Sequence, residues 1–173
     1  MISRRNFLKA SFAIAASYPL RSVFAYTNTD RSLHLYNIHT QERLAIEYCA
    51  SGIYDSDAIN KINYLMRCHY TNQVVSMDVK LLDLLCDIKD TVGRNKEIHI
   101  ISGYRSHAYN EYLRSIGRKV VKNSLHLYGL AIDFLIPCVS FDELSKIAKS
   151  FSAGGVGKYS EFVHIDVGRV RYW

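Results

Sequence analysis

The sequence predicts an α+β fold in a single domain, in which a small antiparallel or mixed central sheet packs with helices. Two segments near the start, residues 31–37 and 43–48, alternate apolar and polar side chains as strands do. Two later segments, residues 57–69 and 78–92, carry apolar residues at spacings of three and four, the period of an amphipathic helix. The chain of 173 residues contains no internal repeat or interior linker, so we expect one core.

The elements are expected to follow one another in a regular order. A short turn joins the first two segments into a hairpin, and an aspartate at or near the start of each helix can cap it. The remaining expected elements are a strand at residues 98–101, a helix near 108–115, a strand around Asp133, a helix at 141–151 and two terminal strands. Tyr172 and Trp173 are aromatic and are expected to close the core rather than to line a groove.

Asp133 interrupts an otherwise apolar run, residues 130–135, that is predicted to be a buried strand. An ionised carboxylate in such a strand is costly unless it is paired or bound to a metal. His126 and His164 can add two imidazoles, and zinc in catalytic sites commonly takes three protein ligands of these types. Taken singly, each residue has an ordinary explanation, as a turn cap, an arginine partner or a core histidine. Taken together, His126, Asp133 and His164 favour a Zn²⁺ site.

The chain carries four motif segments: Ile101-Ser102-Gly103-Tyr104-Arg105-Ser106; Ser124-x-His126-x-x-Gly129-x-Ala131-x-Asp133-Phe134; Gly154-Gly155-Val156-Gly157-x-Tyr159; and Phe162-Val163-His164-x-Asp166-x-Gly168-x-x-Arg171-x-Trp173. In combination they resemble the peptidase M15 group, and most closely its DUF882 (YcbK-like) murein endopeptidase branch, over nearly the whole chain. The resemblance implies an M15/Hedgehog-like zinc peptidase fold and a peptidase that acts on peptidoglycan cross-links. It also implies that His126, Asp133 and His164 occupy the metal positions.

Hydrolysis of an amide also needs a proton for the leaving nitrogen, so a carboxylate that does not bind the metal is expected nearby. Asp166 lies two residues after His164 and shares its face in a regular strand, whereas Glu161 lies three residues before it. Strand parity therefore favours Asp166. The resemblance favours Glu161, because many M15 peptidases use an acidic residue at this position, although the YcbK-like branch need not have one. Both stay as candidates, with Glu161 preferred and Asp166 alternatively orienting a ligand imidazole.

Arg105 follows a strand-like run and stands on a glycine-containing turn before a predicted helix. Side chains in such loops frequently point into a cleft. A guanidinium there can clamp a substrate carboxylate or stabilise a developing oxyanion. In the resembling families this arginine lies near the metal; the alternative is a surface arginine in an ion pair.

The amino terminus predicts export. A twin-arginine block, Arg4 and Arg5, precedes an apolar stretch at residues 10–18 that is too short to span a bilayer permanently. We expect residues 1–25 to be a twin-arginine signal peptide cleaved after Ala25, which leaves a zinc peptidase-like domain at residues 26–173. The alternative is an uncleaved amphipathic anchor or an ordinary basic start. No later segment is long enough for a transmembrane helix, so the mature protein is expected in the periplasm or otherwise exported.

The charge distribution argues against nucleic acid as a partner. The formal net charge is +6, and the leader contributes four positive charges, which leaves +2 for the mature chain. Four basic residues could form a modest patch toward an anionic wall polymer, but a solvated helix end and loop is the preferred interpretation. These residues are Arg114, Arg118, Lys119 and Lys122. The four cysteines lack Cys-x-x-Cys spacing, and no essential disulfide is expected.

The sequence therefore predicts an exported, monomeric zinc metallopeptidase that hydrolyses peptide bonds in peptidoglycan stems or cross-links. Two alternatives stay open: a non-catalytic cell-wall-binding or metal-binding module, and a peptidoglycan amidase. The bond cleaved and the native metal are not determined by these residues.

Overall fold

The computed structural model describes residues 30–173, so the predicted signal peptide lies outside the described residues. The strands are β1 (Arg31–Asn37), β2 (Arg43–Ala50), β3 (Ile53–Tyr54), β4 (Ile98–Ser102), β5 (Ala131–Leu135), β6 (Gly155–Lys158), β7 (Val163–Asp166) and β8 (Arg171–Tyr172). The helices are α1 (Ser56–Leu65), α2 (Val79–Val92), α3 (His107–Ser115) and α4 (Phe141–Ser150), with a 3₁₀ turn at Leu125–Tyr128. The predicted α+β class is confirmed. Within residues 30–173, no helix is long and apolar enough to cross a membrane.

The eight strands form one mixed sheet in the order β3-β2-β1-β4-β5-β7-β6-β8. The predicted hairpin is present as the antiparallel pair β1 and β2. Strand β1 pairs with β4 in parallel, and β6 pairs with β8 in parallel, while the other neighbours are antiparallel. Strands β5 and β7, which carry Asp133 and His164, are therefore adjacent in the interior of the sheet.

Helix α1 differs from its prediction at both ends. Its cap is Asp55, whose side chain accepts hydrogen bonds from the backbone N–H groups of Asp57 and Ala58. It ends at Leu65 rather than at residue 69. The carbonyl of Met66 instead accepts a 2.8 Å hydrogen bond from the Tyr104 N–H, which ties the end of the helix to the turn after β4. A tertiary contact of this kind has no signature in the local sequence.

The core lies between the sheet and the helices, and strand periodicity decides which side chains enter it. In β5, Ile132 and Phe134 are fully buried and pack in the same cluster as Val163 and Ile165 of β7. The alternate positions of these two strands therefore point to the other face of the sheet, where Asp133 lies. All four cysteines are free thiols; Cys49, Cys68 and Cys86 are buried and Cys138 is exposed.

Candidate metal centre

The pairing of β5 with β7 brings Asp133 and His164 together. These two residues stand opposite each other in the antiparallel register. Side chains at directly opposed positions are neighbours on one face of a sheet. The Nδ1 atom of His164 lies 2.7 Å from Oδ1 of Asp133.

His126 reaches the same point from the 3₁₀ turn that precedes β5. Gly129 closes this turn with φ +69°, and a Cβ at that position would come 2.5 Å from the carbonyl oxygen of Ser76. Glycine is thus required both by the left-handed backbone and by the close approach of a neighbouring chain segment. The Nε2 atom of His126 then lies 3.2 Å from Oδ1 of Asp133 and 3.3 Å from Nδ1 of His164.

The three side chains fit a divalent cation by distance. Bonds of about 2.1 Å in a tetrahedral arrangement place ligand atoms about 3.4 Å apart. The separations of 2.7, 3.2 and 3.3 Å are close to that figure, so a small outward movement would admit the ion. His126, Asp133 and His164 also form a potential ligand group by the mutual proximity of their donor atoms, which lie within 4.8 Å of one another.

Both histidines have the outer hydrogen bond that is typical of metal ligands. Nδ1 of His126 lies 2.8 Å from the carbonyl oxygen of Gly103, so Nδ1 carries the proton and donates it. Nε2 of His164 lies 3.1 Å from Oδ2 of Asp166, and the same argument places the proton on Nε2. The remaining ring nitrogens, His126 Nε2 and His164 Nδ1, both face Asp133.

Asp166 is fully buried and accepts hydrogen bonds on both oxygens. Its Oδ1 accepts from the backbone N–H groups of Gly155 at 3.1 Å and Gly168 at 2.9 Å, and its Oδ2 accepts from Nη2 of Arg171 at 2.7 Å. Burial alone would raise the pKa of Asp166, but the hydrogen bonds from His164, Arg171 and the two glycine N–H groups hold that pKa well below its usual range. The carboxylate is therefore ionised and fixed in place.

Gly155, at the start of β6, has a structural role that the sequence does not reveal. Gly155 approaches Asp166 and Arg171 so closely that a Cβ would overlap the Asp166 carboxylate. Its N–H is one of the donors to Asp166. The glycine thus lets the backbone itself hold the carboxylate that supports His164.

The electrostatics of Asp133 and His126 match the protonation states that a metal requires. Burial would raise the pKa of Asp133, but its contacts with His126 and His164 bring that pKa well below its ordinary value. Burial would lower the pKa of His164, but its contacts with Asp133 and Asp166 raise that pKa above its ordinary value, so a metal at this position must displace a proton from His164. Burial lowers the pKa of His126 and outweighs the attraction of Asp133, so this imidazole is neutral at neutral pH. An ionised carboxylate beside a neutral imidazole is suited to Zn²⁺.

Arg105 lies against this centre and is buried rather than on the surface. Its Nη2 is 3.3 Å from Oδ2 of Asp133 and 3.4 Å from Oγ of Ser102. Its backbone N–H donates to the carbonyl of His126, which fixes the turn next to the site. Within residues 30–173, the buried Nε of Arg105 has no hydrogen-bond partner.

A cleft of about 400 Å³ opens over the three residues and is lined also by Arg105, Lys119, Tyr159, Phe162 and Trp173. Its size is in the usual range for ligand pockets, from about 300 to 1,000 Å³. Glu161 stands on the turn between β6 and β7, is exposed, and is absent from the lining formed by the described residues.

Trp173 corrects an expectation from the sequence. Trp173 is 47% exposed, and Tyr172 is similarly exposed, so neither residue closes the core. The parallel pairing of β8 with β6 places the Trp173 ring 5.4 Å from the His164 ring, and its Nε1 donates to the Tyr159 hydroxyl at 3.0 Å. The sequence reasoning also missed Gly103 as the carbonyl partner of His126, because that contact joins residues 23 positions apart.

Known proteins match this chain over nearly its whole length. The family Peptidase_M15_2, described as peptidoglycan L,D-endopeptidase MepK, matches residues 25–173. A Haemophilus influenzae protein named probable peptidoglycan L,D-endopeptidase MepK is 40% identical, and the alignment covers 99% of this chain and 95% of that protein. The peptidoglycan L,D-endopeptidase MepK of Escherichia coli K12 is 37% identical, with 99% and 97% covered.

The family match and both relatives agree with the resemblance seen in the motifs. Each extends far beyond the metal residues, and the identities are too high for a likeness of fold alone. The chain therefore belongs to the Peptidase_M15_2 family of M15 peptidases.

Proposed function

We propose that this protein is an exported zinc metallopeptidase that hydrolyses peptide bonds in peptidoglycan cross-links, with L,D linkages as the preferred class. The single observation that carries the proposal is the convergence of His126 Nε2, Asp133 Oδ1 and His164 Nδ1 at the floor of one cleft. The choice of linkage rests on the relatives, which are named L,D-endopeptidases. Peptidoglycan lies outside the cytoplasm, and residues 1–25 are proposed to direct export by the twin-arginine route before their removal.

The proposed metal ligands are His126, Asp133 and His164, and two imidazoles with one carboxylate form a donor set that suits zinc. When bound, the ion supplies a Lewis acid that polarises the scissile carbonyl and lowers the pKa of a water molecule toward about 7. Asp166 and the Gly103 carbonyl hold the two imidazoles in the productive orientation. Arg105 is proposed to stabilise negative charge on the substrate, since its positively charged side chain lines the cleft beside Asp133.

We assign different roles to the two candidate carboxylates. Asp166 is proposed to orient His164, because its oxygens are already engaged by His164, Arg171 and two backbone N–H groups. Glu161 is proposed to transfer the proton, because its carboxylate makes no hydrogen bond or ion pair within residues 30–173. Tyr159 and Phe162 on the same turn line the cleft, so a modest movement of this turn would bring Glu161 over a bound peptide.

Substitution of the two carboxylates is expected to have different effects. Glu161→Gln should retain the metal and lower kcat by about 10² to 10⁴-fold, the usual contribution of general acid–base catalysis. Asp166→Asn should weaken metal affinity by about 10- to 100-fold, because His164 loses the acceptor that orients it. Metal content by mass spectrometry and kcat at saturating zinc separate the two effects. Glu143→Gln, on the exposed start of α4, is the matched control. Full activity of Glu161→Gln would remove this residue from the mechanism.

Digestion of defined muropeptides tests the function. The purified protein is incubated with fragments cross-linked by either L,D or D,D bonds, with and without a chelator, and the products are identified by mass spectrometry. We expect cleavage of the L,D cross-link that stops with chelator and returns with zinc. Binding to cell wall without cleavage would identify a binding module, and release of whole stem peptides from the sugar would identify an amidase.

A further inference from the structure

A cluster of aromatic rings lies beside the candidate metal centre and has no role in the chemistry described above. The rings of His39 and His69 stack with centroids 3.9 Å apart, and His69 meets the edge of Tyr109 at 4.8 Å. Tyr70 stacks on Tyr109 at 5.1 Å and on Tyr112 at 5.2 Å. The three tyrosine rings are within 21° of parallel. We call these three tyrosines and two histidines the aromatic platform.

Local structure holds the platform in place. Tyr109 and Tyr112 are three residues apart on α3 and therefore project from the same side of the helix. Tyr70 lies in the turn after α1, which is closed by hydrogen bonds between Cys68 and Asn72 and between Cys68 and Gln73. His39 is anchored by a contact of 3.0 Å between its Nε2 and the carbonyl of Ile101.

The platform is not needed for the core. Only Asn110 of α3 is buried, so this helix contributes little to the hydrophobic cluster. Tyr70 is 54% exposed and Tyr112 is 44% exposed. None of the three tyrosine hydroxyls has a hydrogen-bond partner within residues 30–173. The exposed parts of the Tyr70 and Tyr112 rings are thus presented to solvent, an arrangement typical of binding surfaces.

Arg105 connects the platform to the cleft. Its guanidinium contacts Asp133 on one side. Its positive charge also acts on Tyr109 and on His69. Burial, with smaller contributions from His39 and Arg105, lowers the pKa of His69 to about 4, so this ring is neutral at neutral pH. The platform also lies near Arg105 by geometry, because His39 contacts the carbonyl of Ile101, and the next residue, Ser102, contacts the Arg105 guanidinium.

The size of the cleft implies that most of a polymeric substrate lies outside it. A volume of about 400 Å³ holds a small segment around the scissile bond. The peptides of peptidoglycan are attached to sugar chains, so the adjoining surface must accommodate sugar if the proposed function is correct. Pyranose rings present a flat face of C–H groups and a rim of hydroxyls, which complements stacked aromatic rings with phenolic edges. Two other classes of partner fit the platform less well. A protein that binds through aliphatic side chains would need a recess to receive them, and a nucleic acid would need more positive charge than this chain provides.

We propose that the aromatic platform binds an amino-sugar ring of the glycan strand that carries the substrate peptide. The polymer's identity rests on the proposed function, whereas recognition of a pyranose ring rests on the platform itself. Tyr70 and Tyr112 supply the stacking surface, and their hydroxyls hydrogen-bond to the sugar. Tyr109 and the histidines support these rings from below.

Binding of N-acetylglucosamine oligosaccharides and of glycan strands stripped of peptides tests this proposal without any cleavage. The full chain should bind both probes, as measured by calorimetry or by chemical-shift changes. Tyr70→Ala and Tyr112→Ala should each weaken binding by about three- to tenfold, the range expected for one aromatic contact. Tyr70→Phe should retain most of the stacking. Tyr64→Ala is the matched control, because Tyr64 is equally exposed but lies on α1 against Arg67.

The platform and the peptidase proposals can fail separately. Sugar binding by a His164→Ala variant, which lacks a metal ligand, should equal that of the unmodified chain. The ratio of kcat/KM for a sugar-bearing cross-linked substrate to that for a sugar-free one should fall in Tyr70→Ala. The platform proposal would be overturned, even if peptide cleavage were observed, by either of two results. One is that the folded chain does not bind oligosaccharides; the other is that Tyr70→Ala and Tyr112→Ala bind them as tightly as the unmodified chain does. Loss of sugar binding in those variants would support it even if no cleavage were found.

Discussion

Asp133→Asn is expected to lower the rate of peptide hydrolysis to about a thousandth of its original value or less, because it removes the charged ligand at the centre of the site. Oδ1 of Asp133 lies within 3.2 Å of both His126 Nε2 and His164 Nδ1, so no other atom replaces it. Metal affinity should fall by more than about 100-fold. Loss of a residue that only hydrogen-bonds to a ligand costs up to about that much, and Asp133 is itself a proposed ligand. Metal content after dialysis and turnover of a cross-linked muropeptide measure the two effects.

The control for this substitution is Asp142→Asn, which removes a surface carboxylate paired with Lys158. It should leave metal content and turnover unchanged. Circular dichroism of Asp133→Asn is required as well, because Arg105 loses its carboxylate partner and remains buried. A folded Asp133→Asn protein that keeps its metal and its activity would show that the reaction uses a different centre.

Phe134→Ala is expected to lower the free energy of unfolding by about 3 to 5 kcal/mol, the usual cost of truncating a buried phenylalanine. Phe134 is fully buried in β5 and pairs with Ile100 on one side and Val163 on the other. The cavity would lie on the face of the sheet opposite Asp133, which is the preceding residue of β5. Urea unfolding followed by circular dichroism gives the change in stability.

Phe151→Ala serves as the comparison, since Phe151 caps the end of α4 and is 37% exposed. Its loss should cost about 1 to 2 kcal/mol, because Phe151 is 37% exposed and its ring is only partly buried. If Phe134→Ala cost as little as Phe151→Ala, the conclusion that Phe134 is packed in the core beneath β5 would be wrong.

The sequence predicted the parts of the site that depend on strand periodicity. Asp133 stands in an apolar run in which Ile132 and Phe134 are buried on the opposite face, so a single carboxylate marks the functional side of β5. The order of elements was likewise predictable, because alternation and helical spacing are local properties. The short strands β3 and β8 carry only two residues each and leave no pattern to detect.

The parts that the sequence did not predict depend on contacts between distant segments. The exposed position of Trp173 follows from the parallel pairing of β8 with β6, and residue type alone suggested a core position. The sequence also does not show that Arg171 and two backbone N–H groups donate hydrogen bonds to the Asp166 carboxylate. The alternation of side chains along a strand predicts that Asp166 lies on the same face as His164. It does not predict that the oxygens of Asp166 are already hydrogen-bonded, so the sequence alone leaves the role of Asp166 open.

Crystallography of the metal-loaded protein, with anomalous scattering recorded at the zinc absorption edge, tests the central claim most directly. We expect one strong peak about 2.0 to 2.2 Å from His126 Nε2, Asp133 Oδ1 and His164 Nδ1. Asp166 should remain hydrogen-bonded to Nε2 of His164 in that structure. A peak bound by other residues, or saturating zinc that leaves these three atoms without a shared ion, would contradict the account.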